Sequence, residues 1–150
     1  GLLRDDRQLI ALLALLDSTP ATIRNLEQQG TLRGQKPLKR YLYKQCRQLV
    51  RALEDPVYDR HRLRLLIKRV RYANEMHYRQ SPLSTSIMQA LKELQATLGD
   101  WHDLSQWCQL ARSQADLQPL QVSWSRKAKQ ALDTAEGSLH KLAKQLRKQC

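Results

Sequence analysis

The sequence has no phenylalanine, and it has only five glycines and five prolines in 150 residues. So few turn residues suit helices better than a strand-rich sandwich or barrel. No apolar run approaches the roughly 20 residues that a membrane-spanning helix needs, so no membrane span is expected. No glycine-rich phosphate loop is present. The three cysteines, Cys46, Cys108 and Cys150, are odd in number and far apart. That pattern fits a reducing compartment better than a disulfide framework. Acidic side chains are also scarce, 14 against 26 Lys and Arg, for a formal net charge of +12. Such an imbalance points to a polyanion: nucleic acid, polyphosphate or an anionic membrane surface. The length suits one domain with a real core.

The charge is unevenly placed. Residues 36–80 carry thirteen basic and four acidic side chains, while residues 1–35 are balanced and residues 81–116 are net acidic. Within the basic block, His61 to Tyr72 is two-faced on a helix. His61, Arg64, Lys68 and Arg71 fall within about 80° of one another, and Leu63, Leu66, Ile67 and Val70 fall opposite. Three cations in a file behind an imidazole repel one another unless an anion lies along them. Glu75 stands one turn past Arg71 and is expected to pair with it. The preceding segment, from Pro37 to about Leu53, repeats the pattern. Arg40, Lys44, Arg47 and Arg51 stay within about 60° of one another over about 16 Å, and Lys36 precedes them. Leu42, Cys46, Leu49 and Leu53 form the opposite face. A solvated lysine-rich face usually carries Glu at i±4, and this stripe has no Glu before Glu54.

The remaining elements follow from periodicity and breakers. Helices are expected over 2–16, with Leu9, Leu12, Leu13 and Leu16 on one side, and from Pro20 to Gln29. Glu54-Asp55-Pro56 separates the two basic helices, the second of which is expected over about 57–79. The two should pack antiparallel through their apolar faces and border a shared basic groove. Ile87, Leu91, Leu94 and Leu98 give a helix ending at Gly99, with Asp100 capping a new one that carries Trp101, Leu104, Trp107, Cys108 and Ala111. One long helix kinked at Gly99 is the alternative. The last helix runs from Pro119 to about Lys148, with basic residues interrupted by Asp133 and Glu136. Trp101, Trp107 and Trp124 read as core, and Cys46 and Cys108 as small core residues. Tyr72 lies close to His61 round the helix and serves either to bond a phosphate or to pack. The fold class is therefore all-α: an antiparallel bundle of six to seven helices with a basic groove.

Gly1-x-x-Arg4-Asp5-x-x-Gln8 echoes Gly99-x-x-His102-Asp103-x-x-Gln106, as two similar helical units would. Asp5/Asp6 and Asp100/Asp103 with Glu93 read either as a sparse Mg²⁺ site for phosphoryl transfer or as caps and salt-bridge partners.

At these residues the chain resembles the CHAD family of histidine-bearing α-helical domains. The family hallmark is similar to His-x-x-Arg-x-x-x-Lys-Arg-x-Arg-Tyr, here His61, Arg64, Lys68, Arg69, Arg71 and Tyr72. A second element, Leu-Gln-x-x-Leu-Gly-x-x-Asn-Asp, corresponds to Leu94 through Asp103, with His102 where the family usually has Asn. The resemblance implies a single domain over 1–150, in which 36–150 is the second helical repeat and 1–35 the tail of a truncated first. It implies non-enzymatic binding of inorganic polyphosphate along a basic channel, without cofactor or metal, and sometimes a CYTH triphosphatase domain in the same chain. It also implies a cytoplasmic location, at polyphosphate granules. The expected contacts are Arg40, Lys44, Arg47, Arg51, His61, Arg64, Lys68 and Arg71. A nucleic-acid-binding helical module, or an accessory domain of a phosphatase, is the alternative.

Overall fold

In the computed structural model, residues 36–150 are described. The helices expected over 2–16 and 20–29, and the proposed tail of a first repeat, lie outside the described residues. Four α-helices follow in order: α1 (Lys36–Glu54), α2 (Arg60–Met76), α3 (Thr85–Ser113) and α4 (Gln118–Gln149). A 3₁₀ turn, Ala115–Leu117, joins the last two. The described residues are all-helical, without strands.

Each helix packs on its neighbour in sequence, and α4 closes the ring against α1. Side-chain pairings set the directions. Leu42 near the start of α1 clusters with Ala73 near the end of α2. The ring of His61 at the start of α2 lies on that of His102 well along α3. Gln149 at the end of α4 accepts from the backbone of Ser84, just before α3. All neighbours are thus antiparallel. The apolar stripes read from the sequence form this core: Leu42, Cys46 and Leu49 of α1, Leu63, Leu66, Ile67 and Val70 of α2, and Leu91 and Leu98 of α3 are essentially inaccessible. Full burial of one such side chain is worth about 1.5–3 kcal/mol.

The helix starts have local causes. Asp59 caps α2 by accepting from the Arg62 backbone N–H at 2.8 Å, so the helix begins at Arg60 rather than at Val57. Ser84 caps α3 through the Ile87 backbone N–H. Pro119 occupies the first turn of α4. Between α2 and α3, the buried Asn74 donates to the Val70 carbonyl at 2.7 Å and accepts from Ser81 Oγ at 2.5 Å. Two ion pairs hold α4 to the α1–α2 turn: Arg60 grips Glu136 with both Nε and Nη2, and Arg147 pairs with Glu54.

Three expectations are corrected. First, the chain does not break at Gly99; α3 runs through it, so the described residues hold four helices where the sequence suggested five. The buried stripe Leu91, Leu94, Leu98 continues into Cys108 and Ala111, and that continuity outweighs the glycine. Second, Cys46 and Cys150 are joined as a disulfide, with Cα atoms 6.2 Å apart, inside the usual range. Their 104-residue separation concealed that the end of α4 folds back on the middle of α1. Cys108 is free and buried, as expected. Third, Trp107 is not core: it is 48% exposed and tilts against Trp124 at 5.7 Å. At about 1.5 Å per residue α3 and α4 are about 44 and 48 Å long, against about 28 and 26 Å for α1 and α2. The α3–α4 hairpin therefore overhangs the shorter pair, and Trp107, Leu110, Leu120 and Val122 sit exposed on the overhang. No described helix is long and apolar enough to cross a membrane.

Candidate functional site

Burial of Leu63, Leu66, Ile67 and Val70 fixes the rotation of α2 about its axis. That rotation turns His61, Arg64, Lys68 and Arg71 to one side, half-buried along the seam with α3. Three of the four meet a partner on α3. The His61 and His102 rings stack with centroids 4.0 Å apart and planes 13° apart. Arg64 Nε lies 3.4 Å from where a side chain on Gly99 would begin. Arg71 Nη1 donates to Gln95 Oε1 at 2.7 Å. Residues 95, 99 and 102 are spaced by 4 and 3, one face of a continuous helix. Gly99 is thus a point of close approach for a guanidinium, not a helix stop.

The row is only partly neutralised. Arg71 Nη2 pairs with Glu75 at 2.9 Å, as the spacing predicted. Among the described residues, neither Arg64 nor Lys68 has an anionic partner. Lys68 Nζ sits 5.7 Å from the centre of the Tyr72 ring, and Arg71 Cζ sits 5.9 Å from it. The ring itself packs beside Leu42 and Ala73. Nδ1 of His61 and Nε of Arg64 and Arg71 are buried without hydrogen-bond partners among the described residues. Two unit charges one helical turn apart, about 6 Å, repel by about 0.7 kcal/mol in water and about 3 kcal/mol at an effective dielectric near 20. An anion on this face would relieve that repulsion. On the α3 side, burial, then the His61 ring and the Arg64 guanidinium, hold the His102 pKa below its ordinary value; Asp103 and Asp59 pull weakly the other way. Gln106 Nε2 lies 3.1 Å from His102 Nε2.

Arg40, Lys44, Arg47 and Arg51 lie exposed along α1, with no ion pair or hydrogen bond among the described residues. α1 is not a packed neighbour of α3, so these four lack the setting that the α2 residues share. The acids that interrupt the basic face of α4 have a use, since Glu136 grips Arg60. Asp100 and Asp103 lie exposed on the other side of α3, beside Lys127 and Thr134 of α4. No group of three or more His, Cys, Asp or Glu is placed to hold a metal ion among the described residues.

Gln95, Gly99 and His102 are the residues whose role the sequence reading missed. Their 4, 3 spacing was visible, but a helix broken at Gly99 has no common face to carry them.

No curated protein and no solved structure matches the chain. A family model does, the CHAD domain, over residues 3–112. The match takes in both basic helices and all of α3 that faces α2, and over most of its length the chain belongs to the CHAD domain family.

Proposed function

We propose that this domain binds inorganic polyphosphate, without catalysing its breakdown, along a basic channel whose wall is the α2 row. The observation that carries the reading is Arg64 and Lys68, one turn apart on one face of α2, half-buried and without counter-ions among the described residues. A row of fixed cations spaced one turn apart matches a ligand with about one charge per repeating unit and no bases to read. Membership of the CHAD family supports the same ligand class. The α1 stripe, Arg40 to Arg51, extends the channel as a second, exposed file of cations. Binding would draw the protein to polyphosphate deposits.

The test is a titration with long-chain polyphosphate at several salt concentrations, with single-stranded RNA as competitor. By analogy with counter-ion release from nucleic acids, affinity should fall by about tenfold or more between about 50 and 200 mM salt. RNA should displace polyphosphate only in large excess, because the row offers few exposed aromatic platforms for stacking bases. A flat salt dependence, or RNA binding tighter than polyphosphate, would overturn the reading. Phosphate release in the presence of Mg²⁺ would make the domain an enzyme instead.

A further inference from the structure

Two imidazoles stand face to face at the head of the α2 row, one on each side of the seam, 4.0 Å apart and nearly parallel. The resemblance leads one to expect Asn at position 102, so this pair is a feature of this chain. Nδ1 of His61 is buried without a partner among the described residues, and His102 Nε2 is within hydrogen-bond distance of the Gln106 amide. Stacked neutral rings carry no electrostatic penalty. A proton on either ring places a cation against Arg64, which has no anionic partner among the described residues. Resting on the polyphosphate reading, we propose that His102 belongs to the binding site and that His61 and His102 together accept a proton from solvent when polyphosphate binds.

The charged groups that act on His102 come from both elements. Asp59, at the cap of α2, and Asp103, next to His102 in sequence, favour the His102 imidazolium; the His61 ring and Arg64 disfavour it. Burial adds to the second group, and in the free chain the neutral form of His102 is favoured below its ordinary range. A phosphate chain lying on Arg64 and Lys68 offsets the cations that oppose protonation. It also offers an acceptor for the new N–H, a charge-assisted hydrogen bond. The proton comes from solvent and ends on a ring nitrogen; no covalent bond of protein or ligand breaks. The sign follows directly. His102 is held low when free and rises when bound, so between those two values binding takes up a proton and tightens as pH falls. Above and below that window the effect vanishes.

Isothermal titration calorimetry of the full chain with long-chain polyphosphate, in two buffers of different ionisation enthalpy, measures the uptake. Long chains are needed because their internal phosphates stay ionised throughout. At about pH 6.5 the expected result is an uptake approaching one proton per site, with affinity changing by up to about tenfold per pH unit; at about pH 8.5 the uptake should disappear. His102→Asn should lose the uptake, and His140→Asn, on the exposed face of α4, should keep it. Binding with no buffer dependence, or uptake that persists in His102→Asn, would overturn the proposal. Should His102→Asn fail to fold, the imidazole resonances of the unaltered chain decide: two of the four histidines should titrate at higher pH with polyphosphate than without, and unmoved titrations would overturn it. No binding at any pH would strike the polyphosphate reading itself.

Discussion

At the scale of the residue, identity matters less than what each cation meets. Arg60, Arg64 and Arg71 sit within three turns of one helix. Arg60 grips Glu136, Arg71 is shared between Glu75 and Gln95, and Arg64 passes over Gly99 with its Nε unpaired. The first is a tether, the second a braced member of the row, and the third has no anionic partner among the described residues. His102 carries a consequence for stability as well. Its pKa is below the ordinary value in the fold, so the unfolded chain binds the proton more readily. Stability therefore rises with pH through this window: it is complete above the unfolded value near 6.5 and is lost as pH falls toward the folded value. Without ligand, the melting temperature should drop on acidification below about pH 6.5, and His102→Asn should flatten that drop. An unchanged drop in the variant would place the titration elsewhere.

At the scale of the element, the two-faced helices were legible in the sequence, because a buried stripe and a charged stripe on one helix leave little choice of rotation. Leu63, Leu66, Ile67 and Val70 were named from spacing alone, and all four are buried. The Arg71–Glu75 pair was legible for the same reason. Gly99 was not. Locally Leu98-Gly99-Asp100 reads as a stop followed by a cap, and only the stripe running on to Cys108 and Ala111, together with the Arg64 side chain lying over Gly99, shows why the helix continues. This makes Gly99→Ala informative. In a continuous helix alanine is favoured over glycine by up to about 1 kcal/mol. The new methyl would meet Arg64 Nε at 3.4 Å, an ordinary contact. The variant should therefore be at least as stable as the parent in urea unfolding. Destabilisation by about 1 kcal/mol or more would indicate a glycine-dependent helix end. A larger side chain such as Leu at 99 should instead displace Arg64 and weaken polyphosphate binding.

At the scale of the whole molecule, two long-range facts escaped the sequence. One is the overhang of the α3–α4 hairpin, which leaves Trp107 exposed although its spacing suits a core. The other is the Cys46–Cys150 disulfide, invisible until α4 is laid along α1. Closing a loop of that size stabilises by at most about 4–5 kcal/mol through the entropy of the unfolded chain. Reductant should lower the melting temperature of the parent, while Cys150→Ser should melt lower from the start and ignore reductant. A parent insensitive to reductant would show that the thiols are not joined. The net charge of +12 is a property of the whole chain too, and it raises the competing explanation for any polyanion binding: a diffuse field rather than an ordered row. Arg62, Arg64 and Lys68 separate the two explanations. Each is one positive charge on the same helix, but Arg62 is exposed off the row, while Arg64 and Lys68 lie half-buried on it. A field would treat the three alike to first order, whereas direct contact would not, since a charge-assisted hydrogen bond is worth about 1.5–3 kcal/mol. The deciding measurement is the affinity of Arg62→Ala, Arg64→Ala and Lys68→Ala for long-chain polyphosphate at one salt concentration, with folding checked by thermal melting. Arg64→Ala and Lys68→Ala should each bind about tenfold or more weaker than the parent, and Arg62→Ala within about twofold of it; equal losses in all three folded variants would contradict the ordered row as the site.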